Sequence, residues 1–291
     1  MQSALILCRF VHFAAVLFLF GTCLFRTWLF RPLLNSADTR PLDHKLTGLT
    51  RLLIPITLLS ALAWLILTTA SMAGSWQDGL DPQTLSLVLS NTFFGQVWSA
   101  HLLFNSVLMC GLFFARLSSP WLRLTLVTLL LASLAPVGHG AMFDGLLGDL
   151  MMLNQLVHLC GIGAWLGGLL LLVLLLVPPE TGNAEQILLR FSGIGYLLVA
   201  TIILTGLINV WVLSGSLWPV PALSGFGLIL LIKVCLVLCM LGLALFNRLM
   251  LKRNARGLSL LRTSITLECL FGIAAVAAVS LLGTLPPMAL A

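Results

Sequence analysis

The sequence predicts an all-α, polytopic membrane protein: a bundle of eight transmembrane helices with both termini on the periplasmic side. Three observations predict it. Of 291 residues, 60% are hydrophobic and 8% charged, with a mean hydropathy of +1.11, whereas soluble domains run at roughly 45–50% apolar and about 25% charged. Sixty per cent of 291 is about 175 residues, and each spanning helix needs roughly 20, so eight spans consume nearly all of them. The basic residues, finally, fall almost wholly on alternate connections. These facts exclude a water-soluble enzyme, a disordered chain and a nucleic-acid binder. A single transmembrane domain over residues 1–291 is expected, with the lipid bilayer as its surroundings.

Apolar windows part at polar, proline- or glycine-bearing breaks, which places the spans at about 4–28, 50–73, 93–115, 121–143, 150–177, 187–213, 223–249 and 263–285. The first is too long for a signal-peptide core and lacks a basic segment before it, so it is expected to stay. Residues 81–91 predict a short interfacial helix on the outer face. The fourth span closes on Pro136-Val137-Gly138-His139-Gly140; proline removes a backbone donor and the glycines permit irregular backbone, so His139 is expected on a broken helix end. Gly161, Gly163, Gly167 and Gly168 in the fifth predict close helix packing. No internal repeat supports an inverted-repeat transporter.

Charge orients the bundle. The odd connections carry thirteen of the fifteen basic residues, among them Arg26, Arg31, Arg40, Lys45, Arg51, Arg116, Arg123, Arg190 and Arg248, while the even ones carry none but hold Asp78, Asp81, Asp144 and Asp149. Such a split puts the odd loops in the cytoplasm, and accounts for the net charge of +6 without a nucleic-acid partner. Trp28 and Trp121 at inner boundaries, with Trp76, Trp98, Trp211 and Trp218 near outer ones, read as interfacial belts.

What remains inside the spans is sparse: Arg9, Lys233, Glu268 and the histidines His12, His101, His139 and His158. Ionisable groups there are costly and usually face the bundle interior or a wet cavity. At ~1.5 Å per residue, His12, His101 and His158 lie roughly 12 Å below the outer boundary, His139 about 6 Å and Lys233 about 15 Å. Imidazole is the commonest metal ligand and suits copper, zinc and iron. Asn154, His158 and Trp165 share a face of the fifth span. Met142, Met151 and Met152 sit near the outer surface, where thioethers suit Cu(I), and Asp144 is placed to attract cations. Each feature also has a plain structural account: a histidine bonding across helices, Arg9 snorkelling to headgroups, Glu268 pairing with an arginine, Lys233 bound to carbonyls. Cys235 and Cys239, four residues apart, with Cys160, form a conceivable thiol relay, though buried cysteines usually act as small hydrophobes. The seven cysteines show no CxxC pair, hence no disulfide framework or zinc ribbon.

At Arg9-Phe10-Val11-His12-Phe13, Val137-Gly138-His139-Gly140, His158 with Gly163-Ala164-Trp165-Leu166-Gly167-Gly168-Leu169, Phe246-Asn247-Arg248 and Glu268, the chain resembles the CopD family of bacterial copper-resistance inner-membrane proteins. The resemblance implies copper handling at the inner membrane, uptake from a CopC-type periplasmic carrier, and His12, His139 and His158 as motif positions. His101, Cys235 and Cys239 rest on position alone.

The leading expectation is a non-enzymatic copper-binding protein moving a copper ion, Cu(I) or Cu(II), inward through the histidines, tuned by Arg9 and Lys233. No nucleotide-binding motif supports a pump. The alternative is a b-type haem protein using the same histidines as axial ligands. A scaffold for a periplasmic partner is the third reading.

Overall fold

A computed structural model describes every residue except 30–39, 115–116, 118, 139–141, 177–183, 217, 220–222, 253–257 and 286–291. The described residues contain helices and no strand. Helix α1 (Gln2–Leu24) runs into a π-helical turn, Phe25–Leu29. There follow α2 (Arg40–Ala73), α3 (Pro82–Asn91), α4 (Phe93–Cys110) and α5 (Pro120–Ala132), the last continued by a 3-10 turn at Ala135–Val137. Then come α6 (Gly145–Leu175), α7 (Ala184–Ser214), α8 (Gly225–Lys252) and α9 (Leu258–Leu282).

Among the described residues, seven helical segments are long and apolar enough to cross a membrane. The segment expected as the third span, α4, is not among them: Gln96, Ser99, His101, Asn105 and Ser106 dilute its 18 residues. The fourth span breaks as its proline requires, the α-helix stopping at Ala132 before Pro136. Helix α2 starts ten residues before the expected boundary at 50, because its first turn is anchored. Asp43 takes Arg26 Nε at 2.6 Å and Nη2 at 2.9 Å, while Leu42 and Leu46 bury beside it. The expected helix over 81–91 forms as α3. Asp81 caps it by accepting from Thr84 N at 2.8 Å, and Pro82 supplies the fixed φ of the first turn. The Thr84 hydroxyl and amide together hold the half-buried Asp81 carboxyl below its ordinary pKa.

Helix α1 is the axis, packed on α2, α5, α6 and α9. Its crossing with α6 is backbone to backbone: a Cβ added at Gly167 would lie 2.4 Å from Gly21 Cα, and one at Gly21 would lie 2.1 Å from Gly163 O. Gly168 meets the Phe191 ring and Gly161 meets Ile202. The glycine cluster therefore packs helices, as its composition predicts. Leu17 pairs with Gly163 and Gly21 with Gly167, so contacts advance in the same direction and the two helices are parallel, offset by 146 residues (163 − 17 = 167 − 21).

The C-terminal helices pack differently. Helix α7 lies on α6, and α8 lies on α9, but α7 and α8 face each other across a cleft. Trp98 is fully buried, its Nε1 donating to Ala61 O of α2 at 3.0 Å, so it belongs to the core and not to an outer aromatic belt.

Candidate functional site

Three histidines share one local construction. His12 Nδ1 lies 2.9 Å from Ser60 Oγ, His101 Nδ1 lies 2.8 Å from Ser133 Oγ, and His158 Nδ1 lies 2.7 Å from Thr205 Oγ1. Each hydroxyl spends its single hydrogen on its own helix: Ser60 on Ile56 O at 2.6 Å, Ser133 on Leu130 O at 2.8 Å, Thr205 on Thr201 O at 2.6 Å. A hydroxyl so committed presents only lone pairs to the ring, so Nδ1 carries the hydrogen and donates. In the neutral ring Nε2 is then a bare acceptor. All three Nε2 atoms are buried and unpartnered. An unmet buried acceptor costs about 1–3 kcal/mol, so three at once describe nitrogen atoms held ready for something. Orientation of one ring nitrogen by a partner on the other is also the usual support of a histidine metal ligand.

His12 and His101 form a pair, their ring centroids 4.9 Å apart and tilted by 58°. Trp98 stacks on His101 at 4.5 Å and 11°, Trp64 stands edge-on to His12 at 5.5 Å, and Phe94 stacks on the outer side of Trp98. Both imidazoles have no exposed surface. Rings this close, tilted and backed by Trp98 leave no slot for a porphyrin between them. Arg9 does not snorkel outward: it sits 5.2 Å over the Trp64 ring and donates to Gly283 O of α9 at 3.3 Å.

His158 stands apart from the pair, and the helix register says why. An offset of 146 places position 158 level with position 12 on the parallel helix. Nine residues separate His12 from Gly21 and His158 from Gly167; at about 100° per residue that is half a rotation away from the crossing. The two rings are therefore level but back to back. His12 looks towards α2 and α4, and His158 looks towards α7. The expected single cluster of four imidazoles is corrected to a pair and a separate ring among the described residues, which hold no group of three or more His, Cys, Asp or Glu able to hold a metal. His139 lies outside the described residues.

The remaining expected residues divide cleanly. Asn154 does share the α7-facing side with His158, donating to Thr205 O at 3.1 Å and Asn209 Oδ1 at 2.9 Å. Trp165 lines a cavity with His158 and, further along α6, donates to Glu268 Oε1 at 2.8 Å, while Asn247 donates to Glu268 Oε2 at 3.0 Å. Glu268 thus clasps α6 and α8 to α9, and its described partners are these two donors instead of the arginine expected. Lys233 lines two cavities with His158. Met142 and Asp144 are exposed, Met152 is half-buried, and Met151 is buried, so Met151 is not a surface thioether. Cys235 and Cys239 are exposed on α8 and Cys160 is half-buried on α6, which gives no thiol relay.

Sequence reasoning missed Ser60, Ser133 and Thr205, which fix the rings, and the role of Trp64, which lies too deep for an interfacial belt, and of Trp98 as walls of the pair. It also passed over Cys8, whose thiol donates to Ser60 O at 3.3 Å. Cys8 at four residues before His12 was a readable signal of a shared helix face. The serines and threonine carried none, since hydroxyls are common in such helices.

Two family models match, one described as "Copper resistance protein D-like, N-terminal domain" over residues 1–149 and one as "Copper resistance protein D" over residues 185–282. The chain belongs to the copper resistance protein D family. It is 29% identical to the "Inner membrane protein YebZ" of Escherichia coli strain K12, covering 96% of this chain and 97% of that one. It is also 29% identical to the "Copper resistance protein D" of Pseudomonas syringae pv. tomato, covering 96% of this chain and 95% of that one. No solved structure matches. With its helices of spanning length, this CopD-family chain is an inner-membrane protein of copper resistance. The first family model takes in the His12–His101 pair, and the second takes in Lys233 and Glu268.

Proposed function

We propose that the protein binds copper from the periplasmic side and passes it through the membrane without catalytic turnover, and that His12 and His101 form its binding pair. The observation that carries this is the pair of adjacent imidazoles with Nδ1 pinned and Nε2 bare. Imidazole nitrogen suits copper. Family membership supplies the metal; the tautomers supply the donor atoms.

The bundle has eight spans in this proposal, α4 being the eighth because His101 and Asn105 on it are buried inside the bundle, and both termini are periplasmic. Exposed Met142 and Asp144 serve as entry residues, His139 as a ligand near the outer mouth, and a CopC-type carrier as the donor. His158, turned away from the pair, does not share its ion.

Copper accumulation in cells producing the wild type or single variants tests the reading. His12→Ala and His101→Ala should each abolish the copper gained over cells lacking the protein, with normal membrane levels. Accumulation unchanged in both variants would remove the pair from the path.

A further inference from the structure

Helices α7 and α8 leave a cleft that the copper pair does not use. Two adjoining cavities, of about 110 Å³ and 130 Å³, share His158, Gln155 and Lys233. The first is otherwise apolar, with Ile202 and Ile203 on α7 and Val237 and Leu241 on α8. The outer one adds Arg9 and Asn209. Because α7 and α8 are the least covered helices and pack little on each other, the cleft lies at a lateral face of the bundle, the face turned to lipid if the helices span.

The polar end has a definite chemistry. His158 Nε2 is a bare, buried acceptor. Lys233 faces the same space with no hydrogen-bond partner or ion pair among the described residues, and Gln155, whose oxygen accepts from Asn209 at 3.1 Å, has no partner for its amide N–H groups among them either. No acid is among the described lining residues. A ligand must therefore offer a hydroxyl donor to His158 and oxygen acceptors to Lys233 and Gln155, and carry an apolar body.

We propose that this cleft is a binding site for a membrane quinol, its ring hydroxyl on His158 Nε2, an oxygen on Lys233, and its tail leaving between α7 and α8. A metal ion is disfavoured by two cations and a single imidazole. A phospholipid headgroup is disfavoured by depth, since Lys233 lies eight residues past the start of α8 at Gly225, about 12 Å along the helix at ~1.5 Å per residue. A fatty-acid carboxylate meets Lys233 but leaves His158 without a donor.

Copper-free protein, purified in mild detergent, tests the proposal independently of the copper path, so either can fail alone. Organic extraction should release close to one quinone per chain from wild type. Stripped protein should bind decylubiquinol saturably, with affinity reduced roughly tenfold in Lys233→Met, the loss of one charged hydrogen bond. Val237→Phe, which fills the cleft, should abolish binding, and Lys233→Arg should restore most of it. Equal quinone content in wild type, Lys233→Met and Val237→Phe would mean partition into detergent and overturn the site. Displacement of decylubiquinol by equimolar oleate, or a phospholipid or second chain held in the cleft in place of quinone, would overturn it as well.

Discussion

The N-terminal helices α1, α2, α4 and α5 and the C-terminal helices α6 to α9 contain imidazoles prepared identically and housed oppositely. In the first set, His12 and His101 are sealed in an aromatic box with no exposed surface. In the second, His158 lines a cleft that two helices fail to close. The preparation of a nitrogen is thus separable from its access: a hydroxyl whose hydrogen is spent on its own backbone fixes the tautomer in both places. Surroundings then decide what reaches it. The box leaves its two rings no exposed surface, and the cleft sets His158 against two cavities.

The sharpest way to break the comparison is to break the seam between the halves. Gly167→Leu puts a side chain where a Cβ alone would come 2.4 Å from Gly21 Cα, and overpacking of this kind costs about 3 kcal/mol. Thermal unfolding in detergent should show a large loss of stability, and copper binding should fall with it. Retained stability would mean that the crossing is not this tight.

Releasing the rings comes next. Ser60→Ala and Thr205→Val each free one Nδ1, and loss of such a supporting partner costs roughly 10- to 100-fold in metal affinity. Copper titration should show that loss for Ser60→Ala and none for Thr205→Val, because His158 does not face the pair. Equal losses in both would merge the two regions into one site.

Filling the box is a smaller effect of opposite sign. His12→Phe removes an unmet acceptor, so stability should hold or rise by about 1 kcal/mol while copper binding disappears. A marked loss of stability would show that His12 is there to hold the helices together.

The smallest effect lies outside both halves. Asp81 has its carboxyl held below the ordinary pKa by Thr84, so its capping is in force above the usual carboxylate range and fades as pH falls through the depressed value. The protection of the α3 amides relative to their intrinsic exchange rates should fall on acidification in wild type and stay level in Asp81→Ala. Identical profiles would remove the cap.

Much of the bundle was legible because spans are long, apolar and punctuated by charge. The break before Pro136, the helix at 82–91 and the glycine seam all follow from local chemistry. The levels of His12, His101 and His158 were legible too, since depth depends only on counting along each helix. Their facing was not. Whether two level rings meet depends on rotation about each axis, and the back-to-back placement of His12 and His158 appears only once Gly21 and Gly167 fix the crossing. For the same reason Trp98, near an expected boundary, turned inward to stack on His101. Glu268 found Trp165 and Asn247 because those helices converge at its level, which no spacing within one helix encodes.

X-ray absorption at the copper edge of the copper-loaded protein tests the central claim most directly. Nitrogen ligation with the outer-shell scattering of imidazole is expected, lost in the His12→Ala/His101→Ala double variant and kept in His158→Ala. Sulfur ligation alone, or an imidazole signal that survives the double variant and vanishes in His158→Ala, would contradict it.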